Sequence, residues 1–354
     1  MAQARIRIGR IDPECDGFSY WSIVDGCTIQ SGADTFVSQG FLNPFWEPKP
    51  GGITPKELYH SNGPTVFLLK DPMQHQIFTS GETPEFEFHL SHFGHDDIPA
   101  GTFGWKISEG QKILLQGNLH HEKWQTGKVG PLEKIQIPIP SVTAPCHCRL
   151  TIEIPGSNVS NSWDIWLFPR RELKSIPQLT VSPALEKIMN RRYKDIRPVS
   201  ESDRKNDLLL VSSEEKELIK NGIKRGQRMI ILAPASKESN IHLGWWTLGQ
   251  QLGMAMPTHP VFGNFPKSEM LDGLWLRLVR QGAPDLKTDL GFGHFTPLVI
   301  GQGIQDYKLY MGMAHANDSV IIAVFALDLF QDTPECMNLL DNLIQYLLNQ
   351  SKSK

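Results

Sequence analysis

The stretch DLLLVSSEEKELIKNGIKRGQRMIILAP, residues 207–234, decides the fold of the C-terminal half of the chain. Its two ends, DLLLVS and QRMIILAP, are short apolar runs of the kind that form strands buried on both faces of a sheet. The segment between them has acidic residues first and a glycine at its end, which is the pattern of a helix. The stretch therefore predicts a β-α-β unit.

The same pattern of buried strands and helices continues on both sides of this unit. Helices are predicted at residues 184–194, 245–256, 269–281 and 333–349, and strands at residues 297–303, 307–314 and 319–328. The last helix has Thr333 as its N-cap and Pro334 at its first position. We therefore predict a three-layer α/β domain of flavodoxin-like type over residues 176–354.

Residues 65–170 have a different pattern, that of an all-β module. Short runs rich in β-branched and aromatic residues, such as TVFLLK, EFEFHLSHF and RLTIEI, are separated by Gly, Pro, Asp and Asn. Ile135, Ile137 and Ile139 alternate with polar or small residues and should share one face of a strand. The pattern predicts a β-sandwich with its tryptophans in the core.

Residues 1–64 contain one predicted strand and one predicted helix. FSYWSIVD, residues 18–25, is predicted as a short strand buried on both faces. A long segment rich in Gly, Pro and aromatic residues follows, and TPKELYHS is predicted as a helix with Thr54 as its N-cap and Pro55 at its first position. A strand, a long excursion and a helix are what one strand-helix unit of a parallel barrel would contain.

Composition excludes several functional classes. A net charge of −3 with scattered basic residues argues against nucleic acid as a partner. No run approaches the roughly twenty apolar residues of a membrane span, so no membrane association is expected. The five cysteines lack disulfide-framework spacing, and Cys146-His147-Cys148 offers too few ligands for a zinc site. We expect neither a metal nor another cofactor, and the sequence assigns no compartment.

Three segments together carry a family resemblance. GFSYWSIVD followed by FWEPKPG, a β module closing on NSWDIWLFP, and an α/β module with LGWWTLGQQLGMAMPTHPVFGNFP resemble the C-terminal portion of family-2 glycoside hydrolases of the β-galactosidase-like group. The resemblance implies a multidomain chain with three parts. These are a remnant of a (β/α)8 barrel over residues 1–64, an Ig-like β-sandwich over 65–170 and the α/β domain over 176–354.

The resemblance also defines the expected catalytic state. A (β/α)8 barrel needs roughly 200 residues or more, and the two glutamates of this family lie on earlier barrel strands. Glu14 and Glu47 do not fit either position, so no catalytic residue is expected in this chain. Trp21, at the end of the predicted strand, is a candidate for stacking on a sugar ring, and Asp25 is a weaker candidate for the same substrate-binding subsite. The alternative for Trp21 is packing inside the strand's own surroundings.

The α/β domain also resembles class I glutamine amidotransferases, which need a nucleophilic cysteine on a tight elbow after a strand. Gly301-Gln302-Gly303 follows an apolar run, but its central residue cannot act as a nucleophile. Cys336 lies in the first turn of the last helix, away from any elbow. We therefore expect a non-catalytic scaffold that could support a homo-oligomer. Two functions stay open, namely a part of a glycoside hydrolase that binds carbohydrate once the barrel is complete, and a non-enzymatic interaction scaffold.

Overall fold

A computed structural model describes most of the chain. The described residues are 2–12, 14–15, 17, 19, 23–30, 33–37, 40–49, 53–72, 76–199, 207–232, 252–255, 258–268, 272–275, 278, 295–302, 309–323 and 333–350.

The elements up to the end of the β module are α1 (Ala2–Ile11), β1 (Gly26–Gln30), β2 (Ala33–Val37), α2 (Pro55–Asn62), β3 (Thr65–Leu69), β4 (Ile77–Thr79), β5 (Glu85–His92), β6 (Gly101–Glu109), β7 (Lys112–His121), β8 (Lys128–Gln136), β9 (Cys146–Glu153) and β10 (Ser160–Phe168). The later elements are β11 (Lys174–Ser175), β12 (Leu179–Val181), α3 (Pro183–Met189), β13 (Tyr193–Lys194), β14 (Arg197–Pro198), β15 (Leu208–Ser212), α4 (Lys216–Lys224), β16 (Arg228–Leu232), β17 (Leu252–Ala255), a 3-10 helix (Pro260–Phe262), β18 (Thr296–Gln302), β19 (Leu309–Asn317), β20 (Val320–Ala323) and α5 (Pro334–Asn349).

These elements form a β-rich chain of two compact units. The first unit comprises residues 1–75, 82–140 and 148–165, and the second comprises residues 76–81, 141–147 and 166–354. The chain is rich in β-sheets, and its two compact units agree with the predicted multidomain organisation. The finer division into a barrel remnant, an Ig-like module and an α/β domain with the bounds given above stays a prediction.

The core of the first unit lies between two sheets. One sheet has the order β3-β5-β8, and the strands β10, β9, β6 and β7 are neighbours in the other. The Phe67 and Phe103 rings meet edge to face with their centroids 4.9 Å apart, and the Phe88 and Trp163 rings lie 5.7 Å apart. Each pair joins a strand of one sheet to a strand of the other, so the aromatic residues of the β module fill its core, as the alternation predicts.

Helix α1 packs on this β module through two arginines three positions apart. Arg7 donates to the Asn161 side chain and to the Ser162 carbonyl, and it lies over the Trp163 ring at 5.5 Å. Burial lowers the pKa of Arg7 to about 10. The Arg10 guanidinium donates to Ser91 Oγ at 2.9 Å and to the Gly63 carbonyl at 2.7 Å. These long-range hydrogen bonds hold a helix that the sequence analysis did not predict.

The prediction for the opening segment was wrong in part. The Ile23 side chain is 61% exposed, and Val24 forms only an isolated bridge with Leu42, so Ile23 and Val24 do not belong to a strand buried on both faces. An antiparallel hairpin of β1 and β2 follows instead of irregular chain. Most of FSYWSIVD, including Trp21, lies outside the described residues.

Helix α2 forms where the sequence predicts a helix. Thr54 Oγ1 accepts the Glu57 amide, and the Glu57 carboxylate accepts the Thr54 amide, which completes a capping box. Pro55 stands at the first helical position, as predicted.

The second unit contains an eight-stranded mixed sheet with the order β14-β12-β15-β16-β20-β19-β18-β17. Five neighbouring strands of this sheet are parallel, namely β14, β12, β15, β16 and β20. When these five strands are numbered by their order along the chain, their order across the sheet is 2-1-3-4-5, which is the order of flavodoxin-like sheets. Strands β17, β18 and β19 are antiparallel, and the flavodoxin-like pattern does not extend to them.

Alternate residues of β15 and β16 pack on opposite faces of this sheet. Leu208, Leu210, Ile230 and Leu232 share a core cluster with α3 and α5. Leu209, Val211, Met229 and Ile231 share a second cluster with Ile219 of α4. Helices therefore cover both faces, and the unit has three layers.

One predicted helix of this unit was wrong in its described part, and a second was wrong in most of its described part. Residues 252–255 form strand β17, which pairs with β18, and residues 273–275 form a turn. The other described part, Leu278, is helical, and the remaining residues of both segments lie outside the described residues.

Candidate functional site

The candidate site lies in the first unit, in the segment between Ile23 and Lys49. Asp25 is 6% exposed and its Oδ1 accepts two hydrogen bonds, from the Gly40 amide at 2.7 Å and from Lys49 Nζ at 2.8 Å. The hydrogen bond from Lys49 lowers the pKa of Asp25, against the opposing effect of burial. Asp25 thus holds two parts of this segment together as an ionised carboxylate.

Gly40 is fixed by the same contact. Its backbone passes so close to Val24 and Asp25 that a Cβ atom on Gly40 would overlap their backbone atoms. The Asp25 carboxylate accepts a hydrogen bond from the Gly40 amide, and position 40 has room for no side chain larger than that of glycine. This geometry gives Asp25 an anchoring role, and its predicted role in a sugar subsite stays a prediction. Trp21 lies outside the described residues.

The two glutamates weighed as acids do not form a pair. Glu14 is exposed and lies just after α1. Glu47 is exposed, and its Oε2 accepts a hydrogen bond from Asn43 Nδ2 at 2.9 Å. Glu47 therefore belongs to the turn that begins at Asn43.

That turn, residues 43–47, is held by hydrogen bonds of Asn43. The Asn43 side chain oxygen accepts the amides of Phe45 and Glu47, each at 2.9 Å. The Asn43 carbonyl accepts the Trp46 amide at 3.0 Å, and the Asn43 amide donates to the Glu47 carbonyl at 2.9 Å. Leu42 and Pro48 pair as an antiparallel bridge at its base. We call residues 43–47 the aromatic turn.

The aromatic turn exposes two large rings. The Phe45 side chain is 80% exposed and that of Trp46 is 69% exposed. Trp46 has a φ of +66°, in the left-handed region that favours glycine. The sequence analysis used FWEPKPG only for the family resemblance, and the Asn-Pro pair before two aromatic residues was the signal for this turn.

A cleft of about 800 Å³ also lies within the first unit. It is lined by the ends of α1 and α2, by Ser91 and Phe93, and by residues 125–129. Among its described lining residues Asp12 is the single carboxylate. A pair of carboxylates for glycoside hydrolysis is therefore not assembled there by the described residues.

The described part of the second unit brings no nucleophile to a site. Cys336 is fully buried in the core cluster under the sheet. Gly301 and Gln302 are the last two residues of β18 and pair with β19 and β17, and Gly303 lies outside the described residues.

The histidines His259 and His315 meet in this unit. Their ring centroids are 5.2 Å apart, and Tyr346 lies about as close to both. His259 Nδ1 accepts the Val261 amide at the start of the 3-10 helix. Burial lowers the pKa of both histidines, so they pack as neutral rings at neutral pH. The cluster serves packing around α5.

Neither a metal cluster nor a membrane-spanning helix occurs in the part of the chain that the structure describes. There, three or more His, Cys, Asp or Glu residues do not gather in any group that could hold a metal ion. None of the helices in that part is long and apolar enough to cross a membrane.

Comparisons with known proteins identify one family model. A domain of unknown function, DUF8488, matches residues 82–169, which is less than half of the chain. The match falls within the β module and assigns it no activity. No curated protein matches the chain in sequence.

Solved structures give only weak neighbours. The alkylpurine DNA glycosylase AlkC of Pseudomonas fluorescens, bound to DNA with an abasic-site analogue, is 13% identical over 30% of this chain and 30% of that chain, with a TM-score of 0.24. A CARDB domain from Pyrococcus furiosus in complex with di-metal ions is 10% identical over 30% of this chain and 92% of that chain, with a TM-score of 0.20. A β-glucuronidase of Parabacteroides merdae is 10% identical over 48% of this chain and 24% of that chain, with a TM-score of 0.19.

Glycoside hydrolases are thus among the weak structural neighbours of this chain. The chain spans about a third or less of the DNA glycosylase and the β-glucuronidase. At such TM-scores the likeness assigns neither a family nor an activity.

Proposed function

We propose that this chain is a carbohydrate-associated part of a family-2-like glycoside hydrolase and that it does not itself cleave glycosidic bonds. The support for the glycosidase context is the order of residue patterns along the chain, from GFSYWSIVD and FWEPKPG to the α/β module. In this proposal the α/β module is a scaffold, and copies of the chain associate through its surface.

The state of Asp25 carries the non-catalytic half of the proposal. A retaining glycosidase needs two carboxyl groups about 5 Å apart, one of them able to give and take a proton. Asp25 instead has an ammonium group at 2.8 Å and a backbone amide at 2.7 Å on the same oxygen. Such a carboxylate stays ionised and holds the segment in place, so it is poorly suited to act as a general acid.

The test is the hydrolysis of a panel of nitrophenyl glycosides by the purified full chain. We expect release of nitrophenol at the rate of the buffer blank. Turnover that survives repurification and is abolished by Asp25→Asn or Glu47→Gln would contradict the proposal. Turnover unaffected by both variants would place the catalytic acids elsewhere and would contradict it as well.

The scaffold function has its own support in Cys336. The buried position of this thiol leaves it unable to meet a substrate, although it is the one cysteine of the α/β module. Sedimentation of the full chain over a range of concentrations tests the proposed homo-oligomer. A monomer at all concentrations would contradict that part of the proposal.

A further inference from the structure

We infer that the aromatic turn binds carbohydrate, with a pyranose ring stacked on the Trp46 indole and Phe45 extending the apolar surface. The ligand class is an oligosaccharide that presents the C–H face of a pyranose. This inference rests on the proposed function, and it assigns the sugar contact to residues that the sequence analysis did not single out.

The backbone of Trp46 is the first observation that carries the inference. A left-handed conformation costs an L-residue with a Cβ atom free energy, and for a bulky residue it is a true outlier. A turn followed by a left-handed residue is a common hairpin loop, in which that position takes glycine. This chain has Trp46 there, with a φ of +66°. Backbone strain that the surroundings maintain is typical of ligand sites.

The hydrogen bonds of Asn43 are the second observation. Asn43 makes four backbone hydrogen bonds within the turn, through its side chain oxygen, its carbonyl and its amide. A fifth, from its side chain nitrogen, holds the Glu47 carboxylate. These hydrogen bonds fix a turn conformation in which the Phe45 and Trp46 side chains are exposed. A fixed aromatic surface binds a flexible oligosaccharide with less loss of conformational entropy.

The size of the aromatic surface argues for a sugar as its occupant. Aromatic side chains bury about 150–250 Å² each, so two of them offer roughly 300–500 Å². A stable protein interface buries about 800 Å² on each partner. The exposed pair therefore suits one or two sugar rings better than a protein partner.

Glu47 supplies a polar group beside the rings. Its Oε2 is held by Asn43, and the residue is exposed. A carboxylate has about four acceptor sites, so Glu47 keeps the capacity to accept hydrogen bonds from sugar hydroxyls. A pyranose can stack its C–H face on the apolar ring while its hydroxyl groups donate hydrogen bonds to the oriented carboxylate.

The experiment is calorimetric titration of the full chain with cellohexaose, xylohexaose, mannohexaose and a chitin hexamer. We expect binding of at least one oligosaccharide, and we expect Trp46→Ala to weaken it about tenfold or more. Trp46→Asn tolerates the left-handed backbone and should lose binding equally, so loss of the fold does not explain the result. Phe93→Ala and Tyr59→Ala remove rings that are 58% and 51% exposed outside the turn and should leave binding unchanged.

The outcomes separate this inference from the proposed function. Binding that persists in both Trp46 variants would contradict the aromatic turn as the site and leave the proposed function standing. The absence of binding to all four oligosaccharides would contradict the inference, whereas the lack of catalysis is tested separately by the glycoside hydrolysis assay. Self-association that Trp46→Ala abolishes would identify the turn as a protein interface and would also contradict it.

Discussion

Asp25 and Lys49 form an ion pair with 2.8 Å between Oδ1 and Nζ, at a point where the Asp25 side chain is almost fully buried. The same Oδ1 accepts the Gly40 amide. The pair therefore closes the base of the segment that carries the aromatic turn. The role of Asp25 in a sugar subsite stays a prediction from the sequence, and its contacts support the segment on which we place the sugar.

Replacing Lys49 should change the titration of Asp25. The lowered pKa of Asp25 means that the pair contributes stability above the ordinary carboxyl pKa of about 3.9, and that this stability is lost as the pH falls through the folded-state pKa. We expect Lys49→Gln to raise the pKa of Asp25, because its largest cause is the hydrogen bond from Lys49. An NMR titration of the Asp25 carboxyl carbon measures this pKa in the variant and in the unaltered protein. The exposed Lys56→Gln is the control, and an equal pKa in Lys49→Gln and the unaltered protein would contradict the role of Lys49.

Asp341 should be a strong contributor to the stability of the second unit. Its carboxylate accepts hydrogen bonds from Arg171, Lys174 and Tyr193, and its side chain is 8% exposed. Breaking a buried ion pair by removing one partner costs about 3–5 kcal/mol, and we expect Asp341→Asn to fall near the lower end. Unfolding in denaturant measures this loss of stability. The control is Glu217→Gln, which removes one partner of an exposed ion pair and should change the free energy of unfolding by less than about 0.5 kcal/mol. Equal effects of the two variants would contradict this assignment.

The Tyr193 hydroxyl should make stability depend on alkaline pH. Burial, followed by the nearby Asp341 charge, raises the pKa of Tyr193 well above its usual value. Since its folded-state pKa is raised, its contribution is fully present below the unfolded pKa of about 10 and is lost as the pH rises beyond it. We expect Tyr193→Phe to unfold with a weaker dependence on pH above 10, at a cost of about 1 kcal/mol at neutral pH. If the free energy of unfolding depends on pH equally in Tyr193→Phe and in the unaltered protein, the assignment to Tyr193 is contradicted.

The strain at Trp46 predicts a gain in stability when the residue is replaced. A non-glycine residue in the left-handed region costs roughly 1–2 kcal/mol, and asparagine tolerates that region better than tryptophan. We expect Trp46→Asn to raise the midpoint of thermal unfolding or to leave it unchanged while it removes sugar binding. Phe45→Asn, next to it without a positive φ, is the matched control. A clear loss of stability in Trp46→Asn alone would show that Trp46 supports the fold.

The cysteines should differ sharply in their rates of alkylation. Cys15 is exposed, whereas Cys148 and Cys336 are buried, at 1% and 0% exposure. We expect iodoacetamide at neutral pH to label Cys15 in the native protein and to reach Cys148 and Cys336 only after unfolding. Peptide mass analysis with Cys15→Ser as control measures it. Rapid labelling of Cys336 in the native state would contradict the scaffold assignment of the α/β module.

The sequence predicted those parts of the fold that depend on local patterns. The apolar runs of β15 and β16 and the Thr54 cap of α2 appear where expected, because burial on both faces and capping each leave a local signature. Strand β17 was mistaken for a helix because the antiparallel partner that fixes it, β18, lies more than forty residues away. Helix α1 was missed because Arg7 and Arg10 are held by residues of the distant β module.

The sequence analysis did not predict the aromatic turn as a site, because its candidates were Trp21 and Asp25. FWEPKPG entered only as part of the family resemblance, since the exposure of Phe45 and the left-handed Trp46 are consequences of hydrogen bonds that the residue types do not reveal. Asp25 was noted as a sugar contact because it follows an apparent strand. Its pairing with Lys49 and Gly40 depends on the path of the chain between them, which no local pattern specifies.

The most direct test of the account follows one oligosaccharide by proton NMR in the presence of the full chain, using the member of the panel that binds most tightly. We predict saturation transfer from protein to the pyranose C–H protons, lost in Trp46→Ala, with no new reducing-end anomeric signal over time. New anomeric signals that grow with incubation would show that the chain cleaves glycosidic bonds. Saturation transfer that Trp46→Ala leaves unchanged would show that the sugar binds elsewhere.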